Sequence, residues 1–361
     1  MLSLILFLQE GDTLKGKGEV YEVREETSKG KSETSETRDE AFKFLAGQAL
    51  LGCAAYPPAV SFFLLALDLE SQEQENVAAC AACITPLACL GTSATLALTS
   101  PLKKPVAISS FTGALDGMLW SFLIIANIYV NSPETDPKLG PTLFLFGLSG
   151  GNAAGYLAGY GGGSEGAYVL KTISAVQLLW AYFQTLRIIY GDKRPSESEY
   201  KLHLLMATTL SIGGGLGTFA LNVNDYDITA GDALFIGSNT LKGALILSAP
   251  ITTAYLFSQD TSYTSYSPSG FYFDRVFGRL DGVANLAGAF LGAYISYRIA
   301  KKDDLSLLEG IVYSVVPAFA YWAALAPTLV EREYYYRIAP MFQVAFDVGT
   351  SILIYRLTKT F

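Results

Sequence analysis

The stretch Gly147-Leu-Ser-Gly-Gly-Asn-Ala-Ala-Gly-Tyr-Leu-Ala-Gly-Tyr-Gly-Gly-Gly163 places glycine at every fourth position: Gly147, Gly151, Gly155, Gly159 and Gly163. On an α-helix that spacing aligns all five along one narrow face. The segment around it, 140–160, carries no charge and approaches the ~20 residues that cross ~30 Å of hydrocarbon. A face without side chains lets a second helix come very close. Helices associate that way in lipid, where apolar surfaces gain nothing by leaving water. Gly288 and Gly292 repeat the spacing later in the chain. The stretch therefore predicts a multi-helix membrane protein packed through small residues.

Composition agrees. Of 361 residues, 51% are hydrophobic and 16% charged, against about 25% charged in soluble domains. The charges gather in residues 10–43 and in short loops. Between them lie ten apolar stretches: 43–68, 77–99, 105–130, 140–161, 166–190, 202–223, 228–257, 276–300, 306–328 and 338–357. The expected fold is an all-α polytopic bundle of about nine or ten transmembrane helices. The alternative is an outer-membrane β-barrel, suggested by the acidic pI near 4.9, 22 tyrosines and the terminal Phe361. Barrel strands need about 9–11 alternating residues, and few clean runs exist. A net charge of −8 argues against nucleic acid, which selects basic faces. The expected partners are the lipid bilayer and, beyond it, a membrane-protein partner or a second copy of the chain. Basic residues fall in loops on both sides of the expected membrane, so they set no orientation. The expected location is the cell (inner) membrane, or the outer membrane if the barrel holds.

Residues 1–9 form a short hydrophobic start, either a signal remnant or a segment lying on the membrane. Residues 10–42 are rich in Ser, Thr, Glu and Lys, which predicts a mostly disordered polar tail. Residues 43–361 form the membrane domain. Weak internal similarity predicts helical-hairpin repeats near 80–130, 147–190, 211–257 and 282–328, an arrangement that would change the whole reading of the fold. Thr229-Ala-Gly-Asp232 and Ser306-Leu-Leu-Glu309 fit the reciprocal capping pattern of a helix start.

Ionisable residues within apolar stretches are costly and mark candidate pathways. Asp116 and Lys242 occupy the same position of the expected repeat, Gln177 fills it in the unit between, and Asn239 lies one turn from Lys242. Asp347 sits in the middle of the last stretch. Together these five form a candidate substrate or ion pathway, with Asp116 and Lys242 expected to pair. Lys171 is expected to reach water and Asp281 to lie at an interface. Cys80-Ala-Ala-Cys83 has no second such pair, and His203 is the sole histidine, so no metal site, cofactor or disulfide framework is expected. Two G-x-S-x-G matches, at 147–151 and 162–166, lack the strand and the His/acid partners of a nucleophile elbow. An enzyme is not expected. The function expected is passive or secondary transport of a small solute or ion; the alternative is a non-catalytic structural or assembly subunit.

Overall fold

In a computed structural model, described for residues 29–65, 71–100, 102–191, 193, 195–225, 227–258, 275–302, 304–325 and 334–360, the chain is all-α. Eleven α-helices and no strand occur among these residues, so the barrel alternative falls. They are α1 (Lys29–Leu50), α2 (Tyr56–Leu65), α3 (Ser71–Thr99), α4 (Val106–Asn131), α5 (Leu139–Tyr160) and α6 (Glu165–Tyr190). Then follow α7 (Glu197–Asn222), α8 (Ala230–Ser258), α9 (Arg275–Ala300), α10 (Leu307–Leu325) and α11 (Tyr334–Thr360). Within the described residues, each of the ten apolar stretches lies largely on helix. Residues 1–9 and 10–28 lie outside the described residues. The remainder of the expected tail, 29–42, forms the first part of α1, and its Glu40 is buried.

Among the described residues, three helices are long and apolar enough to cross a membrane: Val106–Asn131, Glu197–Asn222 and Ala230–Phe257. This is fewer than the nine or ten expected. The other stretches form helices, but polar residues dilute them. Helix α6 carries Glu165, Lys171 and Arg187, and α9 carries Arg279, Asp281 and Arg298. Polar side chains share the interior with apolar ones, and many large apolar side chains face outward. Ser109, Ser110, Thr112 and Asp116 of α4 are buried, whereas Phe122 and Ile124 of the same helix are exposed. Phe146, Leu157, Leu205 and Leu291 also face outward. An outer surface of this kind suits lipid.

The helices divide into two compact units. The first comprises Met1–Thr172 and Leu216–Asn224, and the second Ile173–Gly215 and Asp225–Phe361.

In the first unit, α1 runs into α2 through a π-helical turn, Leu51–Ala55. Pro57 and Pro58 follow directly and have no amide hydrogens to give to the preceding turn. The widened turn, with Tyr56 N–H donating to Leu51 O, accommodates that loss. The principal packing is α4 on α5. A Cβ added to Gly113 would lie 2.9 Å from Gly155 Cα, and one added to Gly117 would lie 3.0 Å from Gly151 Cα. One on Gly147 would meet Gly117 O at 2.6 Å, and one on Gly159 would meet Val106 Cα at 2.7 Å. Backbones are therefore in direct contact along four of the five glycines. Gly163 is a correction. Helix α5 stops at Tyr160, and Gly163 lies in the following turn at φ +105° beside Val223, a conformation that favours glycine.

In the second unit α8 meets α9 in a similar way. A Cβ on Gly288 would lie 2.9 Å from Ala244 Cα, and one on Gly292 would lie 3.2 Å from Gly243 Cα. Both expected caps form. Asp232 Oδ2 accepts from Thr229 N–H and its hydroxyl, and Asp232 N–H donates to Thr229 Oγ1. Ser306 and Glu309 do the same at the start of α10. The Thr229 hydroxyl also lies 2.6 Å from Leu305 O, and Asp232 Oδ1 accepts from Leu305 N–H. These bonds tie the start of α8 to the start of α10.

Candidate functional site

Besides the Glu40–Lys43–Glu165 set that joins α1 to the start of α6, three sets of opposite charges are buried in the described helices, and two of these three close into ion pairs. In the first unit Asp116 lies mid-way along α4, 2% exposed, with Oδ2 2.7 Å from Lys171 Nζ on α6. Lys171 also stands over the rings of Tyr168 and Phe219 at 5.7 and 5.8 Å. Aromatic faces attract such a cation. Asp116 thus takes Lys171, and not Lys242, as its partner. Lys171 does not extend to water as the sequence suggests: its side chain is 12% exposed and its ammonium lies on Asp116.

The second set joins Arg187 of α6 to Asp281 of α9 at 2.9 Å. Asp281 also accepts from Thr252 Oγ1 at 3.1 Å and from Asn285 Nδ2 at 3.0 Å. Gly282, next in sequence, presses against Ile188. Asp281 is buried in this network and is not an interfacial charge.

The third set remains open. Lys242 of α8 extends Nζ to Tyr313 O on α10 and to Ser351 Oγ on α11, each at 2.9 Å. Asp347 is one helical turn from Ser351 and 7% exposed. The charge acting on it is Lys242, yet the two form no ion pair, and the Asp347 carboxylate accepts no hydrogen bond among the described residues. Beneath them pack Phe235, Tyr313 and Ile354, which place the three helices around an apolar floor. Gln177 and Asn239 stand apart from this centre. Gln177 Nε2 donates to Gly237 O at 3.1 Å, and Asn239 Nδ2 turns back to Phe235 O of its own helix at 2.9 Å. Of the five pathway candidates, the structure brings together Lys242 and Asp347.

No protein-family model, curated protein or solved structure matches this chain. Its site is therefore read from its own residues.

Three polar clusters were not expected as units. Gln48 of α1 donates to Ser110 Oγ at 2.9 Å, and its amide and that of Asn152 exchange bonds at 3.1 and 3.0 Å. Asn152 also donates to the Tyr56 hydroxyl at 3.1 Å. These side chains satisfy one another and join α1, α2, α4 and α5. Nearby, Glu40 accepts from Ala107 N–H at 3.1 Å and lies 3.5 Å from Lys43. Burial pushes its carboxyl above the usual range, opposed by the Ala107 amide and by Lys43. In the second unit His203 holds the Tyr182 and Tyr190 hydroxyls at 2.7 Å on its two ring nitrogens. Arg187 and Ser351 are polar partners that the sequence does not single out, and Lys171 is singled out but assigned to water. Each was visible as a polar residue in an apolar stretch, but nothing in the sequence marked its partner. Cys53, Cys80 and Cys83 are exposed and not buried.

Proposed function

We propose that this chain is a multi-pass protein of the cell membrane that moves a small solute or ion passively or by secondary transport. The observation that carries this reading is the depth of its charges. Asp116 and Lys242 lie near the middle of two helices long enough to cross a membrane. A charge at that depth costs several kcal/mol unless it is paired or serves a pathway. The ten helical stretches, the close glycine contacts of α4 with α5 and of α8 with α9, and the shared position of Asp116 and Lys242 support a bundle of glycine-zippered hairpin repeats. In such folds polar residues near the midplane serve transport. Lipid is the proposed surrounding partner.

The second reading is a structural or assembly subunit. Its support is the closure of Asp116 on Lys171 and of Asp281 on Arg187, which leaves two of those three charged sets spent internally. Flux separates the readings. The purified protein is reconstituted in proteoliposomes holding a pH-sensitive dye, and proton, sodium and potassium gradients are imposed in turn. A gradient-dependent signal, reduced at least tenfold by Asp347→Asn, is expected. Flux equal to that of protein-free liposomes for every imposed ion and for labelled small solutes would favour the subunit reading.

A further inference from the structure

The open Lys242–Asp347 set has unused hydrogen-bonding capacity of two opposite kinds, and no described residue supplies it. An ammonium has three donors, and Lys242 spends two, on Tyr313 O and Ser351 Oγ. Ser351, having accepted from Lys242, keeps its own hydroxyl proton. This side of the centre offers two donors, the complement of a carboxylate. On the other side the Asp347 carboxylate accepts nothing among the described residues, although it is 7% exposed. Helix α8 adds a second acceptor. Pro250 lies inside it and has no amide hydrogen, so the Ile246 carbonyl loses its usual intrahelical donor. Ile246 lies one turn from Lys242, on the same side of α8. Two acceptors with one negative charge are the complement of an ammonium.

A buried charge without a partner of opposite sign is costly. Asp116 and Asp281 each touch a cation, at 2.7 and 2.9 Å, although Asp116 Oδ1 is itself buried without a hydrogen bond. Asp347 and Lys242 influence each other without touching. We propose that this centre, between α8, α10 and α11, binds a small zwitterion of the amino-acid class. Its carboxylate lies on Lys242 and Ser351, and its ammonium lies on Asp347 and the Ile246 carbonyl. The inference rests on the transport reading for its physiological sense, since it names the class of solute carried. A single cation would leave Lys242 unanswered and place two positive charges together. A single anion would leave Asp347 unanswered.

The test is equilibrium binding to the full-length protein in detergent, read as a thermal-unfolding shift and by dialysis of radiolabelled ligand. The probes are glycine, β-alanine and γ-aminobutyrate, with acetate and methylammonium as the separate ends. At least one zwitterion is expected to raise the unfolding temperature in proportion to the logarithm of its concentration. Neither acetate nor methylammonium, at equal concentration, should do so. Asp347→Asn and Ser351→Ala are near-isosteric, and each should weaken zwitterion binding at least tenfold. Lys242→Met should abolish it. An equal shift from acetate or methylammonium alone overturns the proposal, as does a series in which no zwitterion binds. Binding that ignores Asp347→Asn overturns it too. Binding without uptake into proteoliposomes would leave this site standing and remove the transport reading. Uptake of ions without zwitterion binding would do the reverse.

Discussion

Gly150 and Gly151 are neighbours on α5 that point about 100° apart, one to open space and one to α4, and alanine at each should move stability in opposite directions. Around Gly150 nothing lies within 4 Å of an added Cβ. There the substitution only removes glycine's backbone freedom, a gain of about 0.5–1 kcal/mol. At Gly151 the added Cβ would lie 2.9 Å from Gly117 Cα, and closer still to Gly113 O. Ordinary contact begins at 3.4 Å, so α4 and α5 must part by roughly half an ångström or more. A gap of about 0.5–1 Å forfeits a quarter to a half of the attraction at each atom pair it opens. Overpacking of this kind costs about 1–3 kcal/mol, and the propensity gain of about 1 kcal/mol offsets only part of it. The expected separation between the two variants is therefore about 2 kcal/mol, with opposite signs relative to the parent. Thermal unfolding in one detergent, followed by fluorescence-detected size exclusion, reads the order of the three midpoints. If Gly151→Ala unfolds at or above Gly150→Ala, the backbones of α4 and α5 do not touch and the packing argument fails.

The ion pairs give further predictions. Lys171→Met leaves Asp116 buried without a partner and should cost about 3–5 kcal/mol, whereas Lys171→Met with Asp116→Leu should recover most of that loss. A double-mutant cycle on thermal stability checks it, and additive losses would contradict the pair. Arg187→Met should destabilise by a similar amount, about 3–5 kcal/mol, and Asp281→Asn by less, since Asn keeps partners for Thr252 and Asn285; equal losses would show that the charge is incidental. Thr229→Ala should cost about 1–2 kcal/mol from the lost cap, more than Ser306→Ala, because Thr229 also bonds Leu305 O. Chemical denaturation of the two variants side by side reads that order.

What the sequence determined by itself was local. Apolar stretches of membrane length became helices, and the hydroxyl–acid pairs at Thr229 and Ser306 capped them, because both signals act within a few residues of one chain segment. The four-residue glycine spacing likewise marked the face of α5 that meets α4. It overreached at Gly163, where spacing alone cannot distinguish the last turn of a helix from the glycine-rich turn after it. The polar segment 29–42 was misread for a related reason. Its Glu40 accepts from Ala107 N–H, a contact far away in the chain. Tertiary structure alone decided the partners of the charges. Asp116 and Lys242 share a position in the expected repeat, but sharing a position sets depth along a helix and not direction around it. Direction depends on how neighbouring helices pack. That packing gave Asp116 to Lys171 and Asp281 to Arg187, and it left Lys242 and Asp347 facing one another without contact.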